Sequence, residues 1–138
     1  MTIKQIRNIA FITIAGFYMA SCDQIVTTSP KTIDGEWNCE ENHFETGKSN
    51  YYINIEYTDS TKKAIKIFNF NNLGASFYAK GTIAGSNISI PKQSVDKDII
   101  EGKGTIAPDY KTLTFDYNDD YFGNGGGTVT TKCIRLKE

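Results

Sequence analysis

Histidine is almost missing from this chain, with His43 alone among 138 residues. One imidazole, with no nucleophile or orienting partner identifiable beside it, gives no footing for Ser-His-Asp chemistry. It reads as a solvated or locally bonded residue among Glu40, Glu41 and Glu45. The chain has three cysteines, and their spacing matches no zinc pattern. Basic runs are also lacking, which argues against a nucleic-acid partner. The acidic residues are scattered, so no strong steering field is expected. Gly123-Asn124-Gly125-Gly126-Gly127 precedes neither Lys-Ser/Thr nor a helix, which excludes a phosphate loop. It reads as a hairpin tip, with the rim of a barrel mouth as its functional version. No stretch of ten or more residues reads as a helix. The apolar stretch around Phe11–Ala20 covers roughly 12 residues, where a spanning helix needs roughly 20. No cofactor and no metal is expected, and no catalytic residue is assigned; the chain is not expected to be an enzyme.

What is present begins with that stretch. Lys4 and Arg7 precede it and small residues follow it, the pattern of a secretory signal. Met19-Ala20-Ser21-Cys22 resembles the lipobox of bacterial lipoproteins. The resemblance implies cleavage before Cys22 and acyl chains, palmitate among them, on that cysteine, which together give stable anchoring. An ordinary secretory signal and an uncleaved anchor are the alternatives. The expected organisation is a signal over residues 1–21, the lipidated cysteine and a tether over 22–32, and one domain over 33–138. That domain is long enough for a real core. Loss of Lys4 and Arg7 makes the mature chain more acidic than the whole-chain formal charge of −1.

Cys39 and Cys133 remain as an even pair in a compartment where disulfides persist. A bridge is the expectation, with free thiols and a metal site as alternatives. Between them the chain reads as strands. Tyr51, Ile53, Ile55 and Tyr57 share one parity, and Tyr52, Asn54, Glu56 and Thr58 the other, the period of a half-buried strand. Further strands are predicted from Trp37 to Phe44, Ala64 to Phe70, Phe77 through Ile83, around Ile88 and Ile90, and from Ile100 to Ile106. The last two cover Leu113 to Tyr117 and Thr128 to Leu136. Pro91 is expected to end its strand. Gly102 and Gly104, on the inward parity, imply bending or close backbone approach. Turn residues every 8–12 positions or so complete the pattern of an all-β, up-and-down antiparallel barrel of about eight strands.

A bridge between Cys39 and Cys133 makes the first and last strands neighbours. In an antiparallel pair the residue numbers of opposed positions have a constant sum, and 37 with 135 shares the sum of 39 with 133. One register therefore joins the cysteines and sets Arg135 beside Trp37, a cation–π contact of roughly 0.5–2 kcal/mol. Gly35-Glu36-Trp37 resembles the Gly-x-Trp opening of the lipocalins and related calycins. In those families an arginine from near the C-terminus covers the tryptophan, and Trp37 with Arg135 matches that closing pair. The domain from Ile33 to Arg135 is similar to small lipocalin-like lipoproteins of Bacteroidetes-type bacteria. The likeness rests on Trp37-Asn38-Cys39, Asn72-Leu73-Gly74, Ile90-Pro91-Lys92-Gln93 and Gly102-Lys103-Gly104-Thr105-Ile106. It implies a lipocalin-like barrel in the cell envelope, anchored to the outer membrane and facing the periplasm or the cell surface. It departs from a typical lipocalin in its shorter chain and in having no C-terminal helix.

The expected function is a non-enzymatic, lipid-anchored binding module, monomeric, for a small apolar ligand or a glycan. The alternative is a structural, inhibitory or protein-interaction lipoprotein of the envelope with a filled barrel. Tyr51, Tyr57, Tyr78 and Tyr117 are the candidate ligand-binding residues, since tyrosine offers an apolar body and a polar tip. Tyr52, Tyr78 and Phe68 on outward parities form a candidate platform for a glycan or an envelope protein. Asp116, Asn118, Asp119 and Asp120 read as a solvated hairpin turn, with a weak calcium site as the alternative. In the alternative reading the interior is filled by Ile53, Ile55, Ile65, Ile67, Ile88, Leu113 and Phe115; an open apolar cavity would favour the binding module.

Overall fold

The computed structural model describes residues 31–136 apart from 122 and 124. The signal, Cys22 and the tether as far as residue 30 lie outside those residues, as does part of the glycine-rich tip. Eight strands follow one another: β1 (Gly35–His43), β2 (Gly47–Tyr57), β3 (Ala64–Phe68), β4 (Tyr78–Ala84), β5 (Asn87–Val95), β6 (Asp98–Ile106), β7 (Thr112–Tyr121) and β8 (Gly127–Arg135). Each pairs antiparallel with the next, and β8 returns to β1 to close the barrel. We call the end where β1 starts the base, and the end where it finishes the mouth.

Period-2 alternation decides which side chains enter the barrel. Along β1, Trp37, Cys39 and Glu41 are buried between exposed neighbours; along β7, Leu113, Phe115, Tyr117 and Asp119 are buried between exposed or half-buried ones. The inward column is therefore apolar at the base and polar at the mouth. All seven expected filling residues are buried. Glycine on β6 makes room for the aromatic rings of β7. A Cβ at Gly102 would overlap Tyr117 Cβ and lie 2.5 Å from the Asp116 carbonyl oxygen, and one at Gly104 would lie 2.7 Å from the Phe115 ring.

The base is closed as the residue-number sum implies. Trp37 lies opposite Arg135 and Cys39 opposite Cys133. The two cysteines are bonded, with their Cα atoms 4.0 Å apart. The Arg135 guanidinium lies 4.7 Å from the Trp37 ring centroid. It donates to the Tyr110, Asp34 and Thr32 carbonyls, while the Trp37 indole donates to the Ile33 carbonyl at 3.0 Å.

Three local expectations are corrected. β3 ends at Phe68, and Phe70 belongs instead to a 3-10 turn, Phe70–Asn72. Asn69, Asn71 and Asn72 take φ of 57°, 57° and 56°, a left-handed conformation that asparagine tolerates better than other non-glycine residues. The turn folds inward at the mouth and inserts Phe70, whose ring lies 5.4 Å from Phe115 and 4.6 Å from Tyr117. Asn69 fastens it by accepting from the Gly74 amide and donating to the Tyr52 carbonyl, both at 2.7 Å.

Pro91 does not end its strand. β5 continues to Val95 through a bulge between Ile90 and Gln93. The Gln93 side chain then stands in for missing backbone: its amide accepts from Lys80 N–H at 2.7 Å and donates to Lys80 C=O at 2.8 Å. The stretch Asp116–Asp120 is not a hairpin turn but the mouthward end of β7, paired with β6 and β8. Alternation sends Asp116 outward and Asp119 inward, so these carboxylates do not converge on one ion.

A candidate binding site at the mouth of the barrel

Five of the eight strands carry a buried polar residue on the inward column toward the mouth, where a core would have an apolar one. Glu41 comes from β1, Tyr51 from β2, Asp98 from β6, Tyr117 and Asp119 from β7, and Thr131 from β8. The 3-10 turn adds Asn71. Glu41, Asp98 and Asp119 are 3%, 4% and 5% exposed. Carboxylates so buried need donors, because an uncompensated buried charge is costly.

Glu41 is the best supplied. Its Oε2 accepts from Tyr51 at 2.6 Å, Tyr117 at 2.7 Å and Thr131 at 3.2 Å. Burial pushes both phenols far above the ordinary tyrosine range. For Tyr51 the Glu41 charge adds to this; for Tyr117 the neighbouring Tyr51 and Glu41 do. Both therefore stay protonated and serve as donors. The Tyr117 hydroxyl also lies 2.8 Å from Asn71 Oδ1, so its one hydrogen has two claimants.

Asp98 and Asp119 share a single amide. Asn71 Nδ2 donates to Asp98 Oδ2 at 3.0 Å and to Asp119 Oδ2 at 2.8 Å. Asp119 Oδ2 also meets His43 Nε2 at 2.9 Å. The Oδ1 atoms of both aspartates are buried without a hydrogen-bond partner. Burial, then the adjacent Asp119 charge, raises the Asp98 carboxyl above its ordinary value, while the Asn71 bond opposes the shift.

Of the two readings of His43, the structure shows the locally bonded one, with a long-range bond to Asp119 besides. Its Nδ1 accepts from the Glu45 and Thr46 amides at 3.1 and 3.4 Å. That fixes the hydrogen on Nε2, which donates to Asp119. Ser49 lines the same cleft, so a serine, a histidine and an aspartate meet there. Yet both imidazole nitrogens are already engaged, which leaves neither to take a proton from a hydroxyl.

Above this network lies a cleft of about 590 Å³, lined by Glu41, His43, Ser49, Asn71, Asp98 and Asp119 among others. Glu45, Asp96 and Lys97 stand at its rim.

The four candidate tyrosines divide among three places. Tyr51 and Tyr117 meet at Glu41. Tyr57 is near the base, where its hydroxyl accepts from the Ile33 amide at 3.0 Å. Tyr78 is on the outer wall, 5.4 Å from Phe68 and under the Lys66 ammonium at 4.5 Å. Tyr52, 60% exposed, faces an outer groove of about 530 Å³ that includes Phe68 and Asn69. Sequence reading missed Asp98, Asn71 and the His43–Asp119 pair. The available signal was a polar residue on the inward parity of β1, β2, β6, β7 and β8. No protein-family model matches the sequence, and no curated protein matches it at significant similarity.

Proposed function

We propose that this chain is a non-enzymatic lipoprotein of the bacterial cell envelope, held to the outer membrane through Cys22. Its barrel is a filled scaffold that offers its mouth and outer wall to ligands. It is not a container for a small apolar molecule. The observation that carries this reading is the packed interior: Trp37, Phe70 and Phe115 are fully buried along with eight isoleucines and Leu113. The lipobox resemblance supports the anchor, and the Cys39–Cys133 bond suits an oxidising compartment. The engaged imidazole and the protonated phenols at the mouth support a binding role over a catalytic one.

Two measurements test it. Cys22→Ser should abolish incorporation of labelled palmitate. The same acyl-free protein should show no saturable uptake of a fluorescent fatty acid; binding tighter than about 1 μM would restore the apolar-carrier reading. The outer groove beside Tyr52 supports a second mode, docking of a glycan or envelope protein on exposed aromatic surface.

A further inference from the structure

We propose that the mouth of the barrel is a binding site for a small organic cation carrying a primary ammonium group. The inference rests on a shortage of donors. Glu41, Asp98 and Asp119 place three buried carboxylates in one connected network. The donors reaching them are the hydroxyls of Tyr51, Tyr117 and Thr131, the two hydrogens of Asn71 Nδ2 and the one on His43 Nε2. Tyr117 cannot serve Glu41 and Asn71 Oδ1 at once. After every assignment, Asp98 Oδ1 and Asp119 Oδ1 remain unpartnered, on side chains more than nine-tenths buried that line the cleft. A native site with buried, unpaired acceptors calls for a missing partner.

The chemistry of the partner follows from what is short. An ammonium brings three hydrogen-bond donors and a positive charge on one atom. The rim adds Glu45 and Asp96, against Lys97, so the field inside the cleft is negative and focused between low-dielectric walls. A cleft of about 590 Å³ falls in the range that holds small ligands. A bare divalent cation fits less well. Calcium seeks six to eight oxygens, and among the described residues no group of three or more His, Cys, Asp or Glu side chains is arranged to hold a metal. This inference depends on the filled-barrel reading only for placing the ligand outside the axis. A fatty acid taken into the barrel would overturn that reading and leave this one standing.

Calorimetric titration of the full lipidated chain, in neutral detergent at low salt and pH 7, with 1,4-diaminobutane tests it. The expected result is saturable binding that weakens at least tenfold in Asp98→Asn and in Asp119→Asn. Asp116→Asn, on the outward face of the same strand, should bind as the parent does. Diaminobutane should also raise the thermal midpoint of the parent but not of Asp98→Asn, which separates loss of the site from loss of the fold. No saturable heat up to about 10 mM amine, or equal binding by all the variants, would overturn the proposal. So would saturable binding of calcium chloride that disappears in the same two variants.

Discussion

Asp98 sits where the inward column of β6 meets the mouth, and its environment makes it a liability to the fold at neutral pH. Burial and the Asp119 charge hold its carboxyl above the ordinary 3.8, against the pull of the Asn71 amide. The unfolded chain therefore ionises at lower pH than the folded one. Its contribution to stability is complete below 3.8 and is lost as pH rises through the raised folded value. Asp98→Asn removes the group that is lost. The variant should gain on the parent in urea midpoint as pH climbs from about 4 to 7. Equal pH slopes for the two proteins would show that Asp98 titrates alike in both states. At this scale the sequence was readable wherever pairing arithmetic applied: Trp37 and Arg135 met as their shared sum implied. It was not readable at Asp119. Asn118-Asp119-Asp120 has the composition of a turn, and only pairing with Ile99, Ile100 and Gly127 on the flanking strands makes Asp119 an inward residue of β7. His43 and Asp119, 76 positions apart, likewise meet only through the closed barrel.

Elements repeat the lesson with a different cause. Alternating parity located strands such as β2, β6 and β8, because burial of one face imposes period two on the sequence, and turn residues marked off the others. Their ends were set by side chains that imitate backbone, which periodicity does not register. β5 runs past Pro91 because the bulge absorbs one residue and Gln93 supplies the donor and acceptor that Lys80 on β4 lacks. The neighbouring turn depends in the same way on Asn69, whose side chain ties it to β2. Gln93→Ala removes both surrogate bonds at once. Each intramolecular hydrogen bond is worth about 0.5–1.5 kcal/mol net, so a loss of about 1–3 kcal/mol is expected in urea unfolding. The Lys80 amide should become one of the fastest-exchanging in β4 while the Ile65–Gly81 pairing stays protected. An unchanged Lys80 exchange rate would mean that the β4–β5 ladder closes there without Gln93.

For the whole molecule, the decisive fact is that the chain's two ends are one joint. β1 and β8 pair from Trp37–Arg135 to Asn42–Thr130, and the disulfide spans 94 positions. Forming that pairing without the bond means closing a loop almost as long as the domain, and loop-closure entropy grows with length. With the bond in place, the unfolded chain is already a ring. The native barrel gains little directly, since Leu113, Tyr51 and the inward residues around the cysteines pack there in either case. The stabilisation therefore belongs mainly to the unfolded state. The chain-entropy relation puts it at about 4–5 kcal/mol for such a ring, a large share of the about 5–15 kcal/mol that holds a domain of ordinary size. A double variant, Cys39→Ala with Cys133→Ala, should keep the β-sheet circular-dichroism spectrum and the Trp37 fluorescence of the parent. Its urea midpoint should fall by the equivalent of several kcal/mol, and its folding rate should fall with it if the β1–β8 joint forms early. A loss under about 1 kcal/mol would mean that the unfolded ends already lie close together. The register that Trp37 and Arg135 share would then bring the ends together before the sulfurs react, and the disulfide would record barrel closure without driving it.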